Sequence, residues 1–360
     1  MFSKNDLDQD MKFIYLSRGM NFDKDLKIKT YCDQPFRTVN VDKHGRVFLC
    51  DCQAWLPISI GHILDFNSFE EILQSPKALE LQQSILDGSY RYCDYRGCGY
   101  ENRLKNLDFL KEFKNENIPT SNPIKLVMGI DDSCNLTCPS CRSDFRFIKS
   151  GEDFDRRMKI SDHLAQLVSK FEKNIQFEVS GDGDPFASLV YRNFLSKVKF
   201  NDPLSCFFIN TNGILLKDYW EVVERIISNL SLVKISLDAG TEEVYNKTRR
   251  LGSWGRVIEN LRWLIEYKKQ NNYDFQVITN FVAQAENVND IVTYYDLVSS
   301  MGVDEIHYQK VTDWGTWRNF SEHAVWMDGH PNYQTMVEQL KIVNQNKNVL
   351  ITNLEPYVKT

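Results

Sequence analysis

From Ile124 onward the chain alternates between short apolar runs and longer amphipathic stretches. The apolar runs predict strands at Lys125–Ile130, Ile175–Ser180, Cys206–Asn212, Leu232–Asp238, Phe275–Ala283 and Glu305–Val311. Helical spacing falls between them, at Ser161–Glu172, Ser188–Val198, Lys217–Ser228, Trp254–Lys269 and Asn287–Ser300. In the fourth of these, Val257, Leu261, Leu264 and Ile265 share one face. Repeated strand–helix units build a parallel sheet with right-handed crossovers, covered by helices. Six such units predict an α/β fold, a partial (β/α)6 TIM-like barrel rather than the closed eight-stranded one. A doubly wound open sheet is the alternative.

The N-terminal part follows another pattern. It has short extended segments and one helical region, Phe69 to Asp87, striped by Ile72, Leu73, Leu79, Leu81 and Ile85. Pro76 should break or kink that helix and Gly88 should stop it. Arg103–Thr120 reads as a charged helical bridge, and Pro119 and Pro123 bracket a short linker. Beyond Val311 the chain is Trp-rich, then helical at Pro331–Asn344, with a last strand at Val349–Thr352. No internal repeat or low-complexity tract interrupts this order.

The bulk numbers narrow the class. The 360 residues suffice for one large domain and a smaller one, and 42% hydrophobic with 26% charged residues suits a globular protein. A net charge of −6 argues against a dominant nucleic-acid face, which needs clustered Lys and Arg. No apolar run reaches the length of a membrane span, and the N-terminal residues lack a signal-peptide core. A cytoplasmic protein without membrane partners is expected. Nine cysteines, an odd number, do not suggest a disulfide framework in such a chain; clustered thiols in a reducing compartment are metal ligands more often.

Three cysteines crowd into Cys134-Asn135-Leu136-Thr137-Cys138-Pro139-Ser140-Cys141, just after the first barrel strand. Loops at the C-terminal ends of parallel strands form the active-site face. A structural zinc site takes four protein ligands, whereas a catalytic metal keeps a position open. Three thiols therefore mean a fourth ligand elsewhere or an open position.

Cys-x-x-x-Cys-x-x-Cys at this place resembles the radical S-adenosylmethionine (SAM) superfamily. The resemblance implies that Cys134, Cys138 and Cys141 hold three irons of a [4Fe–4S] cluster, and that SAM chelates the fourth. Ser180-Gly181-Asp182-Gly183-Asp184-Pro185 resembles the family's Gly-Gly-Glu-Pro segment, which meets the SAM ammonium; here Asp182 stands for a glycine and Asp184 for the glutamate. Asn210-Thr211-Asn212-Gly213 is similar to the family's Thr-Asn-Gly ending. Ser236-Leu237-Asp238 looks like its Ser-x-Asp segment, which faces the ribose. Arg249 resembles a basic residue that pairs with the SAM carboxylate. The SAM-binding set implied is thus Gly181, Asp182, Gly183, Asp184, Asn212, Ser236, Asp238 and Arg249. Where relatives often have an aromatic residue before the third cysteine, this chain has Ser140.

Five cysteines precede the barrel. The segment from Asp42 to Asp65, with Gly45 and Cys50 spaced as Gly-x-x-x-x-Cys, looks like the SPASM auxiliary-cluster module, placed first rather than last. The resemblance implies a small Cys-rich α+β domain over residues 1–105 holding one auxiliary [4Fe–4S] cluster through Cys32, Cys50, Cys93 and Cys98, with Cys52 spare. A zinc knuckle is the alternative. Residues 106–123 would bridge to a barrel at 124–312, followed by an extension at 313–360. Cys206 reads as core packing.

Together these features predict reductive cleavage of SAM to a 5′-deoxyadenosyl radical that takes a hydrogen from a substrate, a peptide or protein by analogy with many relatives. An external electron donor of the flavodoxin or ferredoxin type is implied. A sugar or other small metabolite is the alternative substrate, and a metal-stabilised scaffold without radical chemistry is the alternative to an enzyme. No residue stands out as a catalytic acid, base or hydrogen donor. Trp314-Gly315-Thr316-Trp317-Arg318, with His307, Tyr308 and Lys310 before it, falls where substrate loops belong, and either lines a pocket or covers an edge.

Overall fold

The structure, a computed structural model, describes residues 30–87, 89–94, 98, 110–112, 123–179 and 183–358. It divides into two compact units. Among the described residues no helix is long and apolar enough to cross a membrane.

The first unit takes in residues 1–131, 151–178 and 197–206. Its elements are β1 (Thr30–Cys32), α1 (Gln34–Arg37), β2 (Thr38–Asp42), β3 (Arg46–Phe48), β4 (Gly61–His62), α2 (Phe69–Leu73), α3 (Pro76–Leu86), β5 (Leu110–Glu112), β6 (Ile124–Gly129), α4 (Glu152–Lys170) and β7 (Ile175–Val179). The strands β2, β3 and β4 form an antiparallel meander. On its other side β2 runs parallel to β6, with Asn40 opposite Val127. Gly45 sits at φ +81 in the first turn, and a Cβ there would fall 2.2 Å from the His62 ring, so the hairpin requires glycine.

The helical region from Phe69 to Asp87 breaks at Pro76, as expected, into α2 and α3. Ser75 Oγ accepts from Ala78 N at 3.3 Å, and Pro76 occupies the first turn of α3, where its missing N–H is harmless. Leu79, expected on the apolar stripe, is exposed instead. Within the stretch read as a charged helical bridge, Leu110–Glu112 is a strand antiparallel to β1, and the rest lies outside the described residues. Pairing of an otherwise open edge outweighs the helical preference of Leu, Lys and Glu.

The second unit takes in 132–150, 179–196 and 207–360. It holds α5 (Leu189–Lys197), β8 (Cys206–Thr211), α6 (Glu221–Glu224), β9 (Leu230–Ser236), α7 (Glu242–Thr248), α8 (Trp254–Asn271), β10 (Gln276–Ala283), α9 (Ile291–Met301), β11 (Glu305–Lys310), α10 (Tyr333–Val343) and β12 (Val349–Thr352). Strands β8 to β12 pair in sequence order, all parallel. All six strands expected from the alternating pattern are present, as β6 to β11, and the class is α/β. The stretch Lys217–Ser228 is a single α-turn, α6, between two 3-10 turns. The buried Trp220 ring, 5.7 Å from Trp263 and 5.8 Å from Tyr267, anchors the chain there.

Register sorts the two faces of this sheet. Ser236, Asn280 and His307 lie in line, so they share a face, while Ile235, Thr279 and Ile306 share the other. On that second face Phe281, Tyr294 and Tyr308 cluster with centroids 4.9 to 5.7 Å apart, and Tyr308 Oη donates to Ile291 O at 3.0 Å. Tyr308 is therefore core, whereas Lys310 Nζ lies 4.2 Å from the Trp326 ring centre.

Candidate active site around the three-cysteine loop

The loop that follows β6 folds back on itself. Cys134 N donates to Arg146 O at 2.8 Å, and Cys141 N and Arg142 N donate to Cys138 O at 3.0 and 3.1 Å. Ile148 N donates to Ser133 Oγ at 3.0 Å, and Thr137 N to Arg250 O at 3.1 Å. These bonds turn the three sulfurs toward one pocket, which Gly183, Asp184, Asn212, Ser236 and Arg249 also line. Five of the predicted SAM-binding residues thus meet the three cysteines. Gly181 and Asp182 lie outside the described residues.

Each sulfur has a side-chain donor. Asn212 Nδ2 lies 3.7 Å from Cys134 Sγ, Arg249 Nη1 3.8 Å from Cys138 Sγ and Arg142 Nη2 3.8 Å from Cys141 Sγ. Leu136 N adds a backbone donor 3.4 Å from Cys134 Sγ. Arg142 is fixed by Nη1 donating to Asp132 O at 2.9 Å. The motifs did not single out Arg142; its only signal was a cation one residue past the third cysteine.

Asp184 is occupied by the protein itself. Its Oδ2 accepts from Thr211 Oγ1 and Asn212 N, both at 2.8 Å, and its Oδ1 from Phe186 N at 3.0 Å and Ala187 N at 3.2 Å. Burial raises its pKa, and these hydrogen bonds oppose the rise. Its carboxylate therefore ties the segment after β7 to the end of β8.

Asp238 lies behind Arg249. Its Oδ2 is 2.6 Å from Arg249 Nη2, and its Oδ1 accepts from Val282 N at 2.8 Å. It holds a left-handed backbone, φ +58, which an aspartate adopts at some cost. Asn287 Nδ2, donating to Asp238 O at 3.0 Å, pins that turn. Burial raises the Asp238 pKa, with Arg249 opposing; burial works against the Arg249 charge, and Asp238 is the foremost influence that restores it.

The donor set fits a thiolate-bound cluster. Burial pushes the Cys134 thiol up to about 12 and raises that of Cys138, so without a metal both are protonated at neutral pH. A metal would supply the positive charge that makes them thiolates, as in iron–sulfur sites. Among the described residues no group of three or more His, Cys, Asp or Glu closes round a single metal ion.

In the first unit, burial pushes the Cys50 thiol up to about 12, with Cys32 and Cys98 among its electrostatic neighbours. Cys32 and Cys93 both pack against Ile85 and Tyr90. The four predicted auxiliary ligands thus share a neighbourhood. Cys52 turns its backbone N–H to Cys50. Cys206 is half-buried at the head of β8.

Residues 128–298 match the family model of the radical SAM superfamily, and residues 32–99 that of SPASM, an iron–sulfur cluster-binding domain. The chain is similar to a probable GTP 3′,8-cyclase of Saccharolobus islandicus, 25% identical over 218 residues, which cover 59% of this chain and 64% of that protein. It is similar to another of that description from Methanocaldococcus jannaschii, 23% identical over 180 residues, covering 49% and 55%. The chain thus spans less than two thirds of the length of these relatives. Among solved structures, Streptococcus suis SuiB bound to precursor peptide SuiA aligns at 14% identity with a TM-score of 0.42, covering 72% of this chain and 61% of that one. Native anSMEcpe with bound AdoMet aligns at 14% identity and 0.41, covering 64% of each.

Proposed function

We propose that this chain, an enzyme of the radical SAM superfamily with a SPASM domain N-terminal to the radical SAM domain, holds its SAM-binding cluster on Cys134, Cys138 and Cys141 and modifies a peptide or protein. When bound, the cluster and SAM together supply a 5′-deoxyadenosyl radical for hydrogen abstraction. The chain's own residues bind and orient. Gly183, Asn212 and Ser236 line the SAM side of the pocket, and Asp184 fixes the strand end that carries Asn212. Gly181 and Asp182 belong to the same binding segment, while Arg249 lines the pocket and Asp238 holds it from behind. An auxiliary cluster on Cys32, Cys50, Cys93 and Cys98 accompanies the first. The observation that carries the reading is the convergence of three thiols and these strand-end residues on one pocket.

The peptide preference rests on the SPASM module, which in many relatives goes with peptide substrates. A small-molecule reading has one specific support: the similar curated proteins are probable GTP 3′,8-cyclases. We place the chain in the cytoplasm, with residues 1–105, 106–123, 124–312 and 313–360 as module, linker, barrel and extension. An external flavodoxin- or ferredoxin-type protein supplies the electron.

The test is anaerobic incubation of iron-reconstituted protein with SAM and dithionite, assayed for 5′-deoxyadenosine. Production is expected, and its persistence in the Cys134→Ala, Cys138→Ala, Cys141→Ala triple variant would sink the reading. Stimulation by GTP, and not by peptides, would select the small-molecule alternative.

A further inference from the structure

The three thiols differ in what faces them, and the difference is electrical. Cys138 and Cys141 each meet a guanidinium at 3.8 Å, while the side-chain donor to Cys134 is the neutral Asn212 amide at 3.7 Å; the Arg142 charge also reaches Cys134, where Asp184 opposes it. The Arg249 guanidinium is held by Asp238 at 2.6 Å, so its charge is shared between a carboxylate and a sulfur. Asp238 in turn is fixed by Val282 N at 2.8 Å and, through its backbone, by Asn287 at 3.0 Å. A carboxylate so anchored holds the cation in place.

We propose that Arg142 and Arg249 are positioning residues that raise the reduction potential of the cluster held by Cys134, Cys138 and Cys141, and that Asp238 trims the contribution of Arg249. The inference rests on the assignment of those three cysteines as cluster ligands. Hydrogen bonds to the sulfurs and local charge are the levers that set such potentials. A cation beside a ligand sulfur stabilises the form with the extra electron, and charge-assisted donors do so most strongly. The inference concerns the reduction alone, in which one electron would pass from a reductant such as dithionite to a cluster held by these cysteines; that transfer by itself forms and breaks no bond.

This role differs from pairing with the SAM carboxylate. The experiment is a potentiometric titration of the full chain, reconstituted with iron and sulfide, followed by the electron paramagnetic resonance signal that changes on adding SAM. That response identifies the relevant cluster. Arg142→Gln and Arg249→Met are each expected to lower the ratio of reduced to oxidised cluster at fixed potential about tenfold, a shift of about 59 mV for one electron. Arg142→Lys, which keeps the charge, should recover most of it. Asp238→Asn should move the potential the other way, since Arg249 then faces Cys138 unopposed; it carries the test should Arg249→Met fail to fold. Unchanged potentials in Arg142→Gln and Asp238→Asn would overturn the inference while leaving the cysteine assignment intact. A SAM-responsive signal that survives the triple cysteine variant would overturn both.

Discussion

The Asp184 carboxylate and the Asn212 backbone N–H meet at 2.8 Å, and the Asn212 side chain then reaches the Cys134 sulfur at 3.7 Å. Asp184 thus acts on the cysteine loop through Asn212 as well as by its charge, which faces Cys134 across the pocket. Asp184→Asn places an NH2 group against N–H donors. We expect it to lose roughly 2–4 kcal/mol of stability, the penalty for unsatisfied buried polar groups, and to hold less iron. Asp184→Glu, which gives the residue of the Gly-Gly-Glu-Pro segment it resembles, overfills a site that is 2% exposed and should lose about 1–3 kcal/mol. Denaturant midpoints and iron analysis check both; a Glu variant as stable as the parent and more active would contradict this account.

Gly240 lies two residues past Asp238, and a Cβ there would sit 2.4 Å from Tyr294 N and 2.6 Å from Thr293 C. Both are backbone atoms at the start of α9, so the turn must move. Asp290 Oδ2 accepts from Thr241 N at 3.1 Å and also from Gly240 N. Gly240→Ala should therefore lose about 2–3 kcal/mol by overpacking and displace the Asp238–Arg249 pair. A thermal melt that leaves this variant unchanged would show that the turn has more room than the contacts allow.

The auxiliary ligands can be counted. Cys50→Ala should lower iron from about eight to about four per chain, as expected on losing one of two four-iron clusters. Cys52→Ala should leave the count unchanged, because Cys52 offers Cys50 its backbone N–H, which alanine keeps. Zinc in place of iron after anaerobic purification would favour a structural knuckle.

His307 gives the protein an acid-side weakness. Burial, aided by Lys234, depresses its pKa to about 4, and its Nε2 lies 2.6 Å from Thr352 Oγ1. Below the unfolded value near 6.5 the unfolded chain takes up a proton that the folded one refuses, so stability falls as pH drops from about 6.5 toward 4. The loss at pH 4.5 should be roughly 2–3 kcal/mol relative to pH 7, at 1.36 kcal/mol per pKa unit. His307→Gln should flatten that part of the profile; denaturant curves at the two pH values measure it.

The strands from β6 onward and most of the helices between them were legible because each apolar run is buried on at least one face; α4 starts earlier than its stripe suggested, at Glu152 and not Ser161, and Lys217–Ser228 holds only the short α6. The stripe on Trp254–Asn271 held, with Val257, Leu261 and Leu264 fully buried. Helix α7 escaped notice because its seven residues bury only Tyr245 and Thr248; its usable signal was Thr241 as N-cap, accepting from Val244 N at 3.4 Å, followed by two glutamates. The cysteine triplet was plain, since thiol spacing is local. The carboxylates were not. Asp184 and Asp238 stand where the motifs place ligand-binding residues, yet both spend their oxygens on protein donors. Partners such as Val282 and Arg249 are set by chain reversal, which spacing along a sequence does not encode.

The parallel pairing of β2 with β6 has a bearing on how this polypeptide can be divided. A cut placed between the cysteine-rich module and the barrel by comparison of sequences would run through one continuous ladder, with Val39 to Asp42 on one piece and Leu126 to Gly129 on the other. Each fragment would then carry an unsatisfied strand edge, a template for joining other chains. Swapping the module between relatives would thus require the receiving barrel to present a matching first strand.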